Sequence, residues 1–253
     1  MRLQDRVIIV TGGGHGIGRA YCLRLAQEGA SIVVAEIDEP AAQSVARQVE
    51  ALGRPALALR TDVADEASTQ AMARATVERF GRIDALITNA AVFATIPINR
   101  GYIEDISVEE FDRVMAVNVR GVFLSCRAVL PYMKAQRAGK IINIASSVVF
   151  GGPPGRIHYN ASKGAIVAFT RTLAREVGEY NITVNALAPG GTLSEEHPTE
   201  EIIRMRESQI RQRALRRVQV PEDLVGTMAF LCSSDADFIT GQTIVVDGGN
   251  VLH

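Results

Sequence analysis

Tyr159 and Lys163 stand at positions i and i+4 in the run His158-Tyr159-Asn160-Ala161-Ser162-Lys163. On a helix, that spacing places both side chains on one face. A phenol is a poor acid–base group near neutrality because its unperturbed pKa is about 10. An ammonium one turn away favours the phenolate. Lowering the pKa by about three units takes roughly 4 kcal/mol, at about 1.36 kcal/mol per unit. One close cation in a partly desolvated site supplies a large part of that. Ser146 follows a short apolar run, 140–144, that reads as a strand. A hydroxyl at that strand end can hydrogen-bond a substrate oxygen and steer it toward the phenol. A Tyr-x-x-x-Lys pair recurs often by chance, so its meaning depends on the rest of the chain.

A second group of residues points to an anion. The apolar run 7–10 leads straight into Thr11-Gly12-Gly13-Gly14-His15-Gly16-Ile17-Gly18, and a helical pattern follows. Glycines permit a tight turn and let backbone N–H groups approach a ligand closely. The start of the helix adds the positive end of its dipole, which suits a pyrophosphate. The spacing is Gly-x-x-x-Gly-x-Gly rather than the commoner G-x-G-x-x-G. Its place between the first strand and the first helix nonetheless marks a dinucleotide turn made of Gly12, His15, Gly16, Ile17 and Gly18. The second strand ends at Glu36. A carboxylate roughly 20 residues past the glycines accepts hydrogen bonds from the adenosine ribose and repels a 2′-phosphate. NAD(H) is therefore expected over NADP(H), with Asp38 as the second candidate for that role. The positive nicotinamide of NAD+ would then add to the pull of Lys163 on the Tyr159 phenol.

The elements that must position these groups alternate. Runs 7–10, 31–35, 56–59, 85–88, 140–144, 182–187 and 243–246 read as strands. Most are apolar without alternation, as strands covered on both faces should be. Helical patterns occupy 17–27, 41–51, 66–80, 108–135, 159–179 and 221–231. This rhythm predicts an α/β, doubly wound, seven-stranded parallel sheet with helices on both faces, in a single domain over 1–253. Two stretches break the rhythm, 93–106 and 190–217. Long excursions at the carboxyl ends of parallel strands lie over a ligand crevice, and 190–217 is read as a lid over the substrate. Within it, Glu200/Arg204 and Glu207/Arg211 are spaced for helical ion pairs.

Composition narrows the classes. A chain of 253 residues, 47% hydrophobic, buries roughly 75% of its unfolded surface, enough for a sizeable core. A net charge of −1 and no concentrated basic stretch argue against nucleic acid. No apolar run reaches the roughly 20 residues that span a bilayer, and the first residues lack the apolar core of a signal peptide. A cytoplasmic protein without a membrane partner is expected. Cys22, Cys126 and Cys232 fit no disulfide or metal framework and are read as buried thiols. His15, His197 and His253 show no metal-ligand grouping, and no metal is expected.

Taken in order, these motifs resemble the short-chain dehydrogenase/reductase family over essentially the whole length. The resemblance rests on residues 11–18 as the cofactor turn, Asp62-Val63, Asn89-Ala90-Ala91, Asn118 in Val117-Asn118-Val119-Arg120-Gly121, and Ser146, Tyr159 and Lys163. Pro189-Gly190, Ile239-Thr240-Gly241-Gln242 and Val246-Asp247-Gly248-Gly249 extend it. It implies a Rossmann-like fold in which Asp62 and Val63 lie beside the adenine and Asn89 and Ala90 beside its ribose. It further implies that Tyr159 is the general acid or base, and that Lys163 lowers its pKa and binds the nicotinamide ribose. Ser146 polarises the substrate oxygen, and Asn118 holds a water that links Lys163 to solvent. Pro189, Gly190 and Thr192 pack on the carboxamide. Two positions depart from the pattern. Ala91 replaces a glycine beside the ribose. Thr192 and Ser194 both offer a hydroxyl near the carboxamide, and either can make that contact.

The resemblance implies an NAD(H)-dependent oxidoreductase that interconverts a small secondary alcohol and a ketone. Alternatives are an NADPH-type 3-oxoacyl-thioester reductase, which Glu36 opposes, and a non-catalytic dinucleotide-binding regulator, which needs no tyrosine–lysine pair. The substrate pocket is expected near 91–98, 148–159 and 190–217, with Val148, Val149 and Phe150 as an apolar wall and Arg156 and His158 close by. Arg100 and Tyr102 are read as part of an exposed loop. Arg204, Arg206, Arg211 and Arg213 are read as charges solvating a lid. The helices 108–135 and 159–179 are apolar around much of their circumference, which asks for burial on two sides. With the resemblance, that predicts a homotetramer.

Overall fold

The computed structural model describes residues 1–93, 96, 98–195 and 197–252. Seven strands form one parallel sheet in the order β3-β2-β1-β4-β5-β6-β7. They are β1 Val7–Thr11, β2 Ser31–Glu36, β3 Ala56–Arg60, β4 Ala85–Thr88, β5 Gly139–Ile144, β6 Ile182–Pro189 and β7 Thr243–Val246. The helices are α1 Gly16–Gln27, α2 Glu39–Ala51, α3 Glu66–Phe80, α4 Val108–Met115, α5 Gly121–Gln136, α6 Val148–Gly151, α7 Ile157–Val177, α8 Glu200–Ser208 and α9 Glu222–Cys232.

Both faces of the sheet are apolar because side chains alternate along each strand. Ile8 and Val10 of β1 point into a core with Tyr21, Leu25, Val45, Leu224 and Met228, under α1, α2 and α9. Val7 and Ile9 point the other way, into a core with Met72, Val129, Met133, Ile166 and Val177, under α3, α5 and α7. Strand order reverses between β1 and β4, both of which pair with parallel register. The loops leaving their carboxyl ends diverge there, and that divergence opens a crevice.

Side-chain caps and a glycine set the ends of α2 and α3. Asp38 accepts a hydrogen bond from the Ala41 N–H, so α2 begins at Glu39 rather than 41. Asp65 caps α3, and Gly81 at φ +76° ends it. Two corrections bear on the site. The stretch 108–135, read as one helix, is two α-helices joined by a π turn, Ala116–Arg120, which carries Asn118. Within 190–217, α8 tightens into a 3-10 turn over Gln209–Gln212. The Glu200–Arg204 pair forms at 3.7 Å within α8, whereas Glu207 and Arg211 straddle the change of helix type. Val108–Gln136 is long and apolar enough by composition to cross a bilayer, yet half of its most apolar window is buried inside the protein.

Candidate active site

The crevice at the strand reversal has a volume of about 720 Å³, within the range of small-ligand sites. The glycine turn forms its floor. Gly12 and Gly16 adopt φ +62° and +49°, a region that suits glycine. A Cβ on Gly12 would lie 2.7 Å from Ala90 Cα, and one on Gly18 would overlap the Gly12 carbonyl. The Asn89 amide nitrogen donates to that carbonyl at 2.8 Å. Thr11 joins the ends of β1 and β4. Its hydroxyl donates to the Ile87 carbonyl and accepts from the N–H groups of Asn89 and Ala90 at 3.0 and 3.2 Å.

His15 precedes α1 without capping it, and the first turn of α1 carries no acidic residue. The helix therefore turns uncompensated N–H groups and a positive dipole end toward the crevice, the chemistry a pyrophosphate requires. These residues fit a nicotinamide dinucleotide. Glu36 is buried beside the turn, where its carboxylate accepts from Gly14 N–H at 3.1 Å, Ile37 N–H at 2.8 Å and Asp38 N–H at 3.3 Å. Asp38, the second candidate for the ribose, is occupied instead. It caps α2 and pairs with His15 Nε2 at 3.2 Å.

The other end of the crevice holds Ser146, Tyr159 and Lys163. Helix α7 is pinned to the sheet by a buried polar chain. Thr88 donates to Asn143 at 2.9 Å, and Asn143 donates to Thr170 of α7 at 2.9 Å. Tyr159 is 7% exposed and Lys163 3%. The Lys163 ammonium donates to the Ile144 carbonyl at 2.8 Å and lies 5.7 Å from the centre of the Tyr159 ring. Burial pushes Lys163 down to about 8.

Burial also holds the Tyr159 phenol above its ordinary value, against a hydrogen bond from Ser146 and the positive charges of Arg156 and Arg206. Without a bound dinucleotide the phenol is therefore protonated near neutrality. Arg156, just before α7, and Arg206 on α8 thus add positive charge at the phenol beside that of Lys163. Asn118 stands just behind this wall. Its side chain accepts from Val92 N–H at 2.8 Å and donates to Ser162 at 3.2 Å, fixing the loop after β4 to α7.

Every residue expected at the cofactor end lines this one crevice together with Ser146, Tyr159 and Lys163. The region after β6 closes over it. Thr192 donates to the Gly190 carbonyl at 3.1 Å. The Ser194 carbonyl packs on Gly16, 3.0 Å from where a Cβ would stand.

Several neighbours differ from expectation. Val148 lines the crevice, but Val149 and Phe150 pack on the core beneath α5 and α7. His158 is fully buried against Glu110, at 3.3 Å. Arg204 and Arg211 are exposed, as lid charges should be, but Arg206 and Arg213 are buried. Arg213 donates to the carbonyls of Gly191 and Arg217 at 2.5 and 3.2 Å, bracing the lid. Phe93 lies within the expected pocket wall 91–98 and lines the crevice, but sequence reasoning missed its contact with Tyr159. Its ring stacks on Tyr159 at 4.3 Å with 25° between planes, a loop contact that leaves no periodic signal. Ala94, Thr95 and Pro97 of the expected pocket wall, and His253, lie outside the described residues. Among the described residues no three His, Cys, Asp or Glu side chains gather as a metal site.

Comparison with known proteins gives the same frame. A family model described as enoyl-(acyl carrier protein) reductase matches residues 12–250. The chain is 35% identical to a 3-oxoacyl-(acyl-carrier-protein) reductase of Thermotoga maritima, over 100% of both chains. It is 38% identical to the 2-(R)-hydroxypropyl-CoM dehydrogenase of Xanthobacter autotrophicus, over 97% of this chain and 98% of that one. Among solved structures, an NAD+-bound xylitol dehydrogenase superposes with a TM-score of 0.90 at 32% identity, covering 98% of this chain and 100% of the other.

Proposed function

The chain belongs to the short-chain dehydrogenase/reductase family, and from that premise we propose that it interconverts a secondary alcohol and a ketone with NAD(H), Tyr159 moving the proton. The observation that carries this reading is one crevice with an uncapped helix start at one end and a Ser146–Tyr159 hydroxyl pair at the other. Bound NAD(H) supplies the hydride donor or acceptor. In reduction, the Tyr159 hydroxyl gives its proton to the substrate oxygen while Ser146 orients that oxygen. Burial favours the protonated phenol, the form reduction needs. Oxidation needs the phenolate, so its rate rises with pH. Lys163 holds the nicotinamide ribose and adds positive charge below its own pKa of about 8. Thr192 packs against the carboxamide, and Asp62 and Val63 flank the adenine. Asn118 holds the β4 loop and α7 in register, and a water beside it links Lys163 to solvent.

Glu36 sets the preference for NAD(H). A 2′-phosphate beside its buried carboxylate meets a like charge and loses the backbone donors that Glu36 already occupies. Steady-state rates with both cofactors are expected to give kcat/KM at least about tenfold higher with NADH than with NADPH, or about 1.4 kcal/mol. The variant Glu36→Gln, which keeps the shape and removes the charge, narrows that ratio. Better efficiency with NADPH rejects the assignment. It would favour the second reading, a 3-oxoacyl-thioester reductase, which the Thermotoga maritima relative supports.

The assembly proposed is a homotetramer. Phe111 of α4, Phe123 of α5 and Ile157 of α7 remain 41%, 45% and 46% exposed, on the helices whose outer faces are apolar. Light scattering at micromolar concentration is expected to report about four chain masses, and a monomeric mass sinks the proposal.

A further inference from the structure

Three arginines from three separate segments converge above Tyr159: Arg100 after β4, Arg156 before α7, and Arg206 on α8. The guanidinium carbons of Arg100 and Arg156 each lie 5.8 Å from the centre of the Phe93 ring, the ring that stacks on Tyr159. Arg206 is 5% exposed and lines the crevice with Arg156. Each cation acts on the others. Arg100 and Arg156 both make the charged form of Arg206 harder to hold, and Arg100 does the same to Arg156.

Partners for these charges are few. The Nε atoms of Arg156 and Arg206 are buried and find no acceptor among the described residues. The Arg206 Nη2 reaches Glu195 at 3.6 Å, longer than a hydrogen bond. Arg100 rests a nitrogen on the Met205 sulfur, a weak acceptor. Among the described residues, three cations thus face one carboxylate. A buried guanidinium with unmet N–H donors is costly unless something accepts from it. Arg213 shows the alternative in the same segment: its Nε is likewise without an acceptor among the described residues, but its Nη atoms are spent on backbone carbonyls.

We propose that the substrate carries an oxyanion, a carboxylate or a sulfonate, which Arg156 and Arg206 bind while its carbonyl or hydroxyl carbon sits between Ser146 and Tyr159. Arginine's planar fork matches the paired oxygens of such a group, and charge-assisted hydrogen bonds are its strongest contacts. The dinucleotide phosphates do not explain the cluster. They belong at the start of α1, whereas Arg156 and Arg206 act on the Tyr159 phenol. The inference rests on the oxidoreductase reading above and adds the class of substrate.

The test is binding to the NADH complex, followed by calorimetry with pentanoate, butanesulfonate and the neutral pentanamide. At least one anion is expected to bind about tenfold or more tightly than the amide, and Arg206→Met and Arg156→Met each shrink that preference to about threefold or less. Arg206→Lys restores part of it. If the buried Arg206 is needed for folding, the half-buried Arg156 gives the same reading. Equal binding of anion and amide overturns the inference. So does a preference that survives both variants, or loss of NADH affinity in place of anion affinity. Tight binding of an acidic acyl carrier protein that Arg206→Met abolishes, with the small anions unaffected, overturns it too. Turnover is read separately. A protein that binds pentanoate but oxidises NADH with no ketone counts against the oxidoreductase reading alone. One that reduces neutral ketones without preferring anions counts against this inference alone.

Discussion

Replacing Tyr159 with phenylalanine is expected to lower kcat/KM by about 10³-fold while leaving NADH affinity within about threefold, as measured by steady-state kinetics and NADH fluorescence. A positioned general acid contributes about 10²–10⁴-fold, and this phenol lines the crevice in hydrogen-bond contact with Ser146. The change removes one hydroxyl and little volume. Tyr159 is packed beneath Phe93 with the two rings nearly parallel, and phenylalanine keeps that stack. The fold and the dinucleotide contacts stay in place, so lost rate reports lost proton transfer. Turnover within about tenfold of the native protein would remove Tyr159 from its role, since general acid catalysis gives at least about 10².

The second large effect is structural. Gly18→Ala forces a Cβ into the Gly12 carbonyl and within 2.6 Å of the Asn89 amide nitrogen. Both neighbours are fixed, the first by the turn and the second by its hydrogen bond to that carbonyl. Overpacking against backbone costs about 3 kcal/mol or more, which for a chain of this size lowers Tm by roughly 6–12 °C. Binding of NADH falls with it, because the displaced turn carries the phosphate donors. Gly226→Ala is the control. Gly226 lies exposed in α9 with nothing within 4 Å of an added Cβ. There the methyl group is expected to raise stability by up to about 1 kcal/mol, through helix propensity alone. Calorimetric melting of both variants checks the pair. A Gly18→Ala protein that melts with the native one refutes the close-packed turn.

The strands were legible because burial on two faces leaves uninterrupted β-branched runs, as in Val7–Thr11, whereas their order β3-β2-β1-β4-β5-β6-β7 came only from the folded chain. The cofactor end was equally plain. Glycines at a strand–helix junction and an acid at the end of β2 are local features, fixed by steric freedom and charge. Reading failed where a residue's role depends on partners distant in sequence. Apolar periodicity cannot separate an α-helix from a π turn, so the widening at Asn118 was invisible. Charge on an amphipathic segment reads as solvent-facing, which holds for Arg204. The same rule misplaced Arg206 and Arg213, which α8 and the turn after it direct inward. Phe93 sits in a connection without repeat, and only the folded chain brings it to Tyr159.

The seat of the Ser194 carbonyl on Gly16 bears on traffic. A dinucleotide whose phosphates rest at that turn lies under the chain that follows β6, and the small substrate enters above it. Under the proposed function, loading is expected to be a queue in which the dinucleotide goes first and leaves last, its departure gated by the chain at Ser194, a loop step of the kind that often sets an enzyme's top speed. Substitution of Ser194, which takes no part in moving the proton, is therefore expected to change the pace of the whole cycle.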